Sequence, residues 1–381
     1  MSLHPKHNVI RTCDTFDNNG AAAALGRVIC HRKKRGAIMR LGLNLAYTGA
    51  RISDEVRRAE QAEQLGYDSV WASEAWGADA VTLLAWIAAR TARVNVGSAI
   101  MQIPARSPAM TAMTAVTLNE LSGGRFVLGL GMSGPQVAEG WHASAYGKPL
   151  ARTREFISIV RKIIARDGPV AHHGTHYDMP AAGPGTTGLG RPLKLMIHPS
   201  HPTPVYLAAI GPKNVALAAE IADGWIPTMF SPFRAPEVFG NALSAGFAAA
   251  AVPGKRDGFD IAPIVAAAVT SDPEKARNAM RPSLALYIGG MGSRDQNFYN
   301  NLACRYGFED LARQIQELYL GGDKLGAARL VPDDLIDEVS LVGSAEMIKD
   351  RLSAWSAAGV TELNLTIRDE TTLRTLPELV G

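Results

Sequence analysis

The stretch FVLGLGMSGPQ, Phe126 to Gln136, places Gly129, Gly131 and Gly134 in the spacing G-x-G-x-x-G. In one setting this is a dinucleotide-binding turn, with backbone amides and a helix N-terminus around a pyrophosphate. That setting is a first strand–helix unit, with an acidic residue about 20 positions later at the end of the next strand. Here three strand–helix patterns come before the glycines, and the later position holds Arg154 and Glu155 inside an amphipathic helical pattern. A nicotinamide-binding Rossmann sheet therefore fails on context. Two readings remain: a tight strand-to-helix turn without ligand, or a cofactor loop in another fold.

Working outward, RLGLNLAY (40–47), YDSVWAS (67–73), RVNVGSAI (93–100) and RFVLGLG (125–131) read as buried strands. Helical patterns separate them, over 53–66 with Ser53 as N-cap and Gly66 as stop, from about Asp79 to Arg90, from Pro108 to about Leu121, and over 150–166. The rhythm resumes with PVYLAAI (204–210), a helix from Pro212 to about Ala222, GWIPTMF (224–230), FDIAPIVAAAV (259–269) and TELNLTI (361–367). Strands alternating with helices predict a parallel sheet and the α/β class. Eight units fit a (β/α)8 TIM barrel, with insertions after strands 4, 6 and 7 at 167–203, 231–258 and 270–355. An open doubly wound sheet with a second domain is the alternative.

A chain of 381 residues suffices for one large domain. A formal net charge of +3 gives nucleic-acid binding no support. Cys13, Cys30 and Cys304 form no C-x-x-C pair, which points to a reducing, cytoplasmic setting and away from structural zinc. No apolar run approaches the ~20 residues of a membrane span. Residues 1–38, with the basic cluster HRKKRG, read as a disordered N-terminal extension, or as sequence upstream of a start at Met39; a basic partner-binding tail is the alternative. Residues 39–381 read as a single domain.

Strand ends are where barrel enzymes keep their chemistry. SEAWG puts Glu74 and Trp76 after the second strand, either as a helix-capping carboxylate with a packed indole or as a ligand acceptor with an apolar wall. SAIMQIP (98–104) alone reads as core. Gly211 and Pro212 open a helix whose free amides can hold a phosphate, with Lys213 nearby. AHHGTHYDMP (171–180) gathers three histidines, but Gly174 between them and Pro169 and Pro180 around them favour a hairpin over a metal site.

With those residues in hand, the chain resembles the bacterial luciferase-like superfamily, on its deazaflavin (coenzyme F420) branch. The resemblance runs from Arg40 to near the C-terminus through AEQLGYDSVWASE, RTARVNVGSAI, LSGGRFVLGLGMSGPQV, AAIGPKNVALAAEIADGWIP and LVGSAEMIKDRLSAWSAAGV. It implies a (β/α)8 barrel, usually a homodimer, that binds F420 at the C-terminal mouth and transfers hydride at the ring carbon replacing flavin N5. Glu74 then matches the acid beside the ring. Ala99 and Ile100 match a pair joined by a non-prolyl cis peptide that backs the ring. Met132, Ser133, Gly134 and Val137 match a loop on the cofactor tail or ring edge, and Ala209, Ile210, Gly211 and Pro212 match the phosphate turn. Arg106, Lys148 and Lys213 are candidate cations for the acidic tail, with surface solvation as their plainer role.

Two departures bear on the reaction. Many relatives have His after the strand-two acid, where this chain has Ala75, and the sugar-phosphate dehydrogenases have Glu where it has Gly134. Both remove proton-transfer groups, which disfavours a glucose-6-phosphate reaction and leaves Glu74 as the one catalytic candidate. The expected function is F420-dependent oxidation or reduction of an unidentified small organic molecule, carbonyl or lipid-derived. The alternatives are an FMN-dependent luciferase-like monooxygenase and a non-catalytic F420 or flavin binder.

Overall fold

The computed structural model describes residues 39–46 and 51–380; the extension expected over 1–38 lies outside the described residues. Parallel strands covered by helices are apolar on both faces, and FVLGLG is buried at all its positions. The chain runs β1 (Arg40–Asn44), α1 (Ile52–Leu65), β2 (Ser69–Ala72), α2 (Ala80–Arg90), β3 (Asn95–Ser98), α3 (Pro108–Leu121), β4 (Phe126–Gly131) and α4 (Pro149–Ala165). It continues through β5 (Val205–Ala208), α5 (Pro212–Ile221), β6 (Gly224–Ile226), α6 (Ala235–Ala249), β7 (Ile264–Val269) and α7 (Pro273–Ala285). After further helices come α8 (Ala345–Ala357), β8 (Glu362–Ile367) and α9 (Glu370–Val380).

All these strands pair in parallel. Leu43 stands opposite Val70, Val70 opposite Val96, Val96 opposite Phe126, Leu128 opposite Val205 and Leu207 opposite Trp225. On the other side of β1, Leu43 faces Leu365 of β8, which also faces Val265 of β7. Residues 260–269 touch both ends of this order. Ala262 N–H donates to the Trp225 carbonyl of β6 at 2.9 Å, while the Ile261 carbonyl accepts from Thr361 N–H at 3.0 Å, just before β8. The result is a mixed α/β fold built on a curled parallel sheet.

Local chemistry sets the helix ends. Asp79 caps α2 by accepting from Thr82 N–H at 2.7 Å, and Ser107 caps α3 at Met110 N–H, 3.1 Å, with Pro108 at the first helical position. Gly66 stops α1 in the left-handed region, φ 91°. Ser53 does not cap α1. The helix begins one residue earlier, after Arg51, and the Ser53 hydroxyl turns to Asp54 Oδ1 instead.

The opening glycines serve the sheet. A Cβ on Gly129 would lie 1.8 Å from the Ser98 carbonyl oxygen, and one on Gly131 would lie 3.1 Å from the Ile100 side chain. Ser98 Oγ also donates to the Gly129 carbonyl at 2.8 Å and accepts its N–H at 2.9 Å, binding β3 to β4. A side chain at Gly129 would part the two strands.

Inside the sheet, Trp71 and Tyr206 pack with their rings tilted by 32° and their centres 5.8 Å apart, with Val127, Ala99, Ile226 and Ala262 around them. At the N-terminal strand ends, Arg40 forms ion pairs with Asp260 at 2.7 Å and Glu362 at 2.9 Å. Glu362 further accepts from Trp71 Nε1–H at 2.9 Å and from Ser69 Oγ. Burial by itself would lower the Arg40 pKa, but the two carboxylates override it and hold the guanidinium above its ordinary value.

In 167–203, His172–His173 and Asp178–Met179 form the expected hairpin around Gly174. Glu155 of α4 holds its turn, accepting from the backbone N–H groups of Thr175 at 3.1 Å, His176 at 2.9 Å and Tyr177 at 3.2 Å. Burial would raise the Glu155 pKa; those three bonds outweigh it and depress it. A depressed carboxylate gives stability that is complete above its unfolded pKa, about 4.3, and lost as pH falls through the folded value. Glu155→Gln should speed amide exchange of residues 175–177 at neutral pH, and the wild-type protein should lose the same protection only in acid. Equal exchange in variant and wild type at pH 7 would show that the carboxylate does not anchor the turn.

Segment 231–258 is largely α6, which lies against α5 so closely that a Cβ on Gly246 would meet the Ala216 carbonyl oxygen at 2.2 Å. Segment 270–355 is mostly helical, as expected, but includes a short strand, Ser340–Gly343, beside β7.

Candidate active site at the strand ends

Glu74, Ala99, Ile100, Met132, Ser133, Gly134, Val137, Ala209, Ile210, Gly211 and Pro212 all follow the C-terminal ends of strands. After β2, Glu74 is nearly enclosed. Arg106, just before α3, grips both its oxygens, Nη1 to Oε2 and Nη2 to Oε1, each at 2.7 Å. The side chains of Arg106 and Glu74 are 17% and 7% exposed. Glu74 also accepts from Ala80 N–H, at the start of α2, and from Gln102 N–H, both at 3.2 Å. Arg106 reaches Asp79 as well, at 2.8 Å. Burial would raise the Asp79 pKa, but bonds from Thr82 and the Arg106 charge bring it below the usual range.

Two sequence readings change here. Arg106 is a half-buried structural partner, whereas surface solvation was its plainer role; Lys148 and Lys213 are exposed as expected. Trp76 is 59% exposed rather than packed. Glu74 keeps the helix-capping part of its reading, and its carboxylate is fully engaged in bonds that tie β2 to β3. That arrangement disfavours it as a proton donor.

At the end of β3 the Ala99–Ile100 peptide is cis. The Ala99 carbonyl accepts from Ser73 Oγ at 2.7 Å, and the Ile100 carbonyl from Glu74 N–H at 3.1 Å. After β4, Met132 and Val137 are buried, and Ser133 is left-handed with φ 59°. Gly134 precedes a six-residue helix, Pro135–Gly140, with an ordinary φ of −97°.

One side chain absent from the sequence reading joins these loops. Gln102, which lay in a stretch read as core, is buried, and its Nε2 donates to Ser133 Oγ at 3.1 Å. Its Oε1 meets His142 Nε2 at 2.6 Å. Gln102 thus touches the Glu74 loop, the Ser133 loop and His142.

At the end of β5, the Ala209 carbonyl accepts from Trp225 Nε1–H at 2.9 Å, and the Ile210 carbonyl from Arg305 Nη2 at 3.1 Å. Gly211 flanks α5 with no side-chain cap, and Pro212 occupies its first turn. Arg305 belongs to the helix Phe298–Arg305 of the 270–355 segment. Its Nη1 is buried without a partner, and burial lowers its pKa. A buried guanidinium nitrogen lacking an acceptor, beside the open end of a helix, fits an anionic group of a ligand. The nearest sequence signal was a single arginine in a helical pattern.

Among the described residues, no group of three or more His, Cys, Asp or Glu side chains is arranged to hold a metal, and no helix is long and apolar enough to cross a membrane. A cleft of about 730 Å³ lined by Phe233, Arg234, Tyr306, Phe308 and Glu338, among others, includes none of the residues singled out from the sequence.

The sequence profile of the luciferase-like monooxygenase family matches residues 37–362, and the chain belongs to that family. It is 44% identical over 344 residues, 90% of this chain and 99% of the relative, to a Mycobacterium tuberculosis protein provisionally named a coenzyme F420-dependent oxidoreductase. It is 31% identical over 79% of its length to the 5,10-methylenetetrahydromethanopterin reductase of Archaeoglobus fulgidus, covering 86% of that protein. Its fold matches an F420-dependent secondary alcohol dehydrogenase, solved with an F420–acetone adduct, at a TM-score of 0.73 and 20% identity over 90% of this chain and 98% of that one.

Proposed function

We propose that this chain is a coenzyme F420-dependent oxidoreductase that moves a hydride between the deazaflavin and a small organic carbonyl compound or its alcohol. The observation that carries this reading is the 44% identity, across nine-tenths of the chain, to a relative named for the same cofactor. The site supports it: the uncapped helix N-terminus that opens at Gly211–Pro212 and the unpaired Arg305 nitrogen suit the phosphate, with Ala209 and Ile210 shaping that turn. Ala99 and Ile100 would back the ring, and Met132, Ser133, Gly134 and Val137 would line its edge. Glu74 acts as a positioning residue that fixes the β2 and β3 ends. Bound there, the deazaflavin supplies hydride exchange at a ring carbon; the protein orients the partners and excludes water.

We read the curled sheet as a (β/α)8 barrel with insertions after strands 4, 6 and 7, formed by one domain over 39–381. The protein is read as a cytoplasmic homodimer. Titration with oxidised F420 should quench the cofactor's fluorescence saturably. Binding of FMN without any binding of F420 would transfer the reading to a flavin monooxygenase, and tight F420 binding without turnover across a broad carbonyl panel would make the chain a non-catalytic binder.

A further inference from the structure

His142 lies just beyond the helix Pro135–Gly140, between the exposed Trp141 and the start of the segment leading to α4. Its ring is half-buried and set by one bond, Nε2 to Gln102 Oε1 at 2.6 Å. An amide oxygen only accepts, so with this Gln102 orientation Nε2 carries the hydrogen. The amide nitrogen lies 3.1 Å from Ser133 Oγ and the Gln102 backbone N–H donates to Glu74 at 3.2 Å, which holds the side chain between the two loops. Among the described residues Nδ1 has no hydrogen-bond partner. The ring therefore presents one nitrogen that takes a proton when neutral and gives one when charged.

The neighbouring charges are already committed. Glu139, on the preceding helix, accepts from Tyr146 N–H at 3.0 Å. Arg152 of α4 donates to the Ala145 carbonyl at 2.9 Å and to Ser144 at 3.0 Å. Beyond Gln102 stands the closed Glu74–Arg106–Asp79 group. Ala75 and Gly134 add no titratable side chain to the Glu74 and Ser133 loops. His142 is one amide removed from both the Glu74 and the Ser133 loops.

We propose that His142, oriented by Gln102, is the group that exchanges the proton accompanying hydride transfer; this rests on the F420 reading above. In the reducing direction the carbonyl carbon gains the electron pair and hydrogen of the C5–H bond of the reduced deazaflavin. The C=O π pair moves to oxygen, which takes the proton of His142 Nδ1. The carbonyl compound leaves as an alcohol, the deazaflavin is left oxidised, and the neutral ring regains its proton from solvent. Gln102 is a positioning residue.

The test uses the full chain with ring-15N-labelled histidine and oxidised F420 as the probe, the His142 signals being assigned by their loss in His142→Asn. The ring should hold the Nε2–H tautomer with Nδ1 titrating, and F420 should move that midpoint by about half a unit or more. Gln102→Leu should abolish the single tautomer while F420 still binds. With 2-propanol as the hydride donor, His142→Asn should lower turnover about 10²- to 10⁴-fold and flatten its pH profile without changing F420 affinity. A His142 titration indifferent to bound F420, or a His142→Asn enzyme with the wild-type rate and pH profile, would overturn the proposal. If 2-propanol is not a substrate, the titration alone decides. Failure of the wild-type chain to bind F420 at all would instead overturn the functional reading, and this proposal with it.

Discussion

Glu362→Ala should lower the stability of the protein by about 3–5 kcal/mol, the usual cost of removing one partner from a buried charged network. Glu362 is 1% exposed and accepts from Arg40, Trp71 and Ser69 at the N-terminal ends of the strands. Without it, among the described residues, Arg40 keeps Asp260 and the Trp71 indole keeps Ser69 Oγ, at 2.6 Å. Glu362→Gln retains the shape and one acceptor, so it should be the milder change. Denaturant unfolding of both variants measures the difference, and a loss under about 1 kcal/mol for the alanine variant, the scale of an exposed pair, would remove the network as a source of stability.

Arg106→Leu should be comparably severe, and its effect should extend to the ligand. The bidentate grip on Glu74 joins the end of β2 to the approach of α3, and its loss leaves a nearly enclosed carboxylate with two backbone N–H groups as partners. The expected stability loss is about 3–5 kcal/mol. F420 affinity should fall as well, since Gln102 bonds to Glu74 on one side and to Ser133 on the other. Arg106→Lys should lie between, because a single ammonium cannot make both parallel bonds. Thermal melts and fluorescence titrations on the same samples give both quantities. A stable Arg106→Leu protein with unchanged F420 binding would show that this pair positions nothing.

The sequence exposes what is written in short range. Strand runs such as FVLGLG, the helix starts near Asp79 and at Pro108 and the stop at Gly66 can all be read within a few residues, and they recur in the structure. Ser53 misleads because the chain before it is already helical at Ile52, which puts the hydroxyl inside the first turn. Arg106 reads as a surface charge until Glu74, 32 positions earlier, is brought beside it. The same holds for His142 and Gln102, 40 positions apart, and for Arg305 and the Ile210 carbonyl, 95 apart. Periodicity reports which side of an element is apolar; it carries no account of which distant side chain a loop will meet. The site residues carried over by family resemblance came from aligned motifs, so residues outside those motifs had no route to notice.

Arg305 reaches the turn after β5 from a helix that the chain forms only after β7. If the anion sits where the guanidinium nitrogen lacks a partner, then ordering of that late segment and occupancy of the site are two sides of one equilibrium. Cofactor would then shield the 286–308 region from proteases far more than it shields α1 or α2. Grafting this segment from a relative to change substrate preference would also alter how firmly the cofactor is retained.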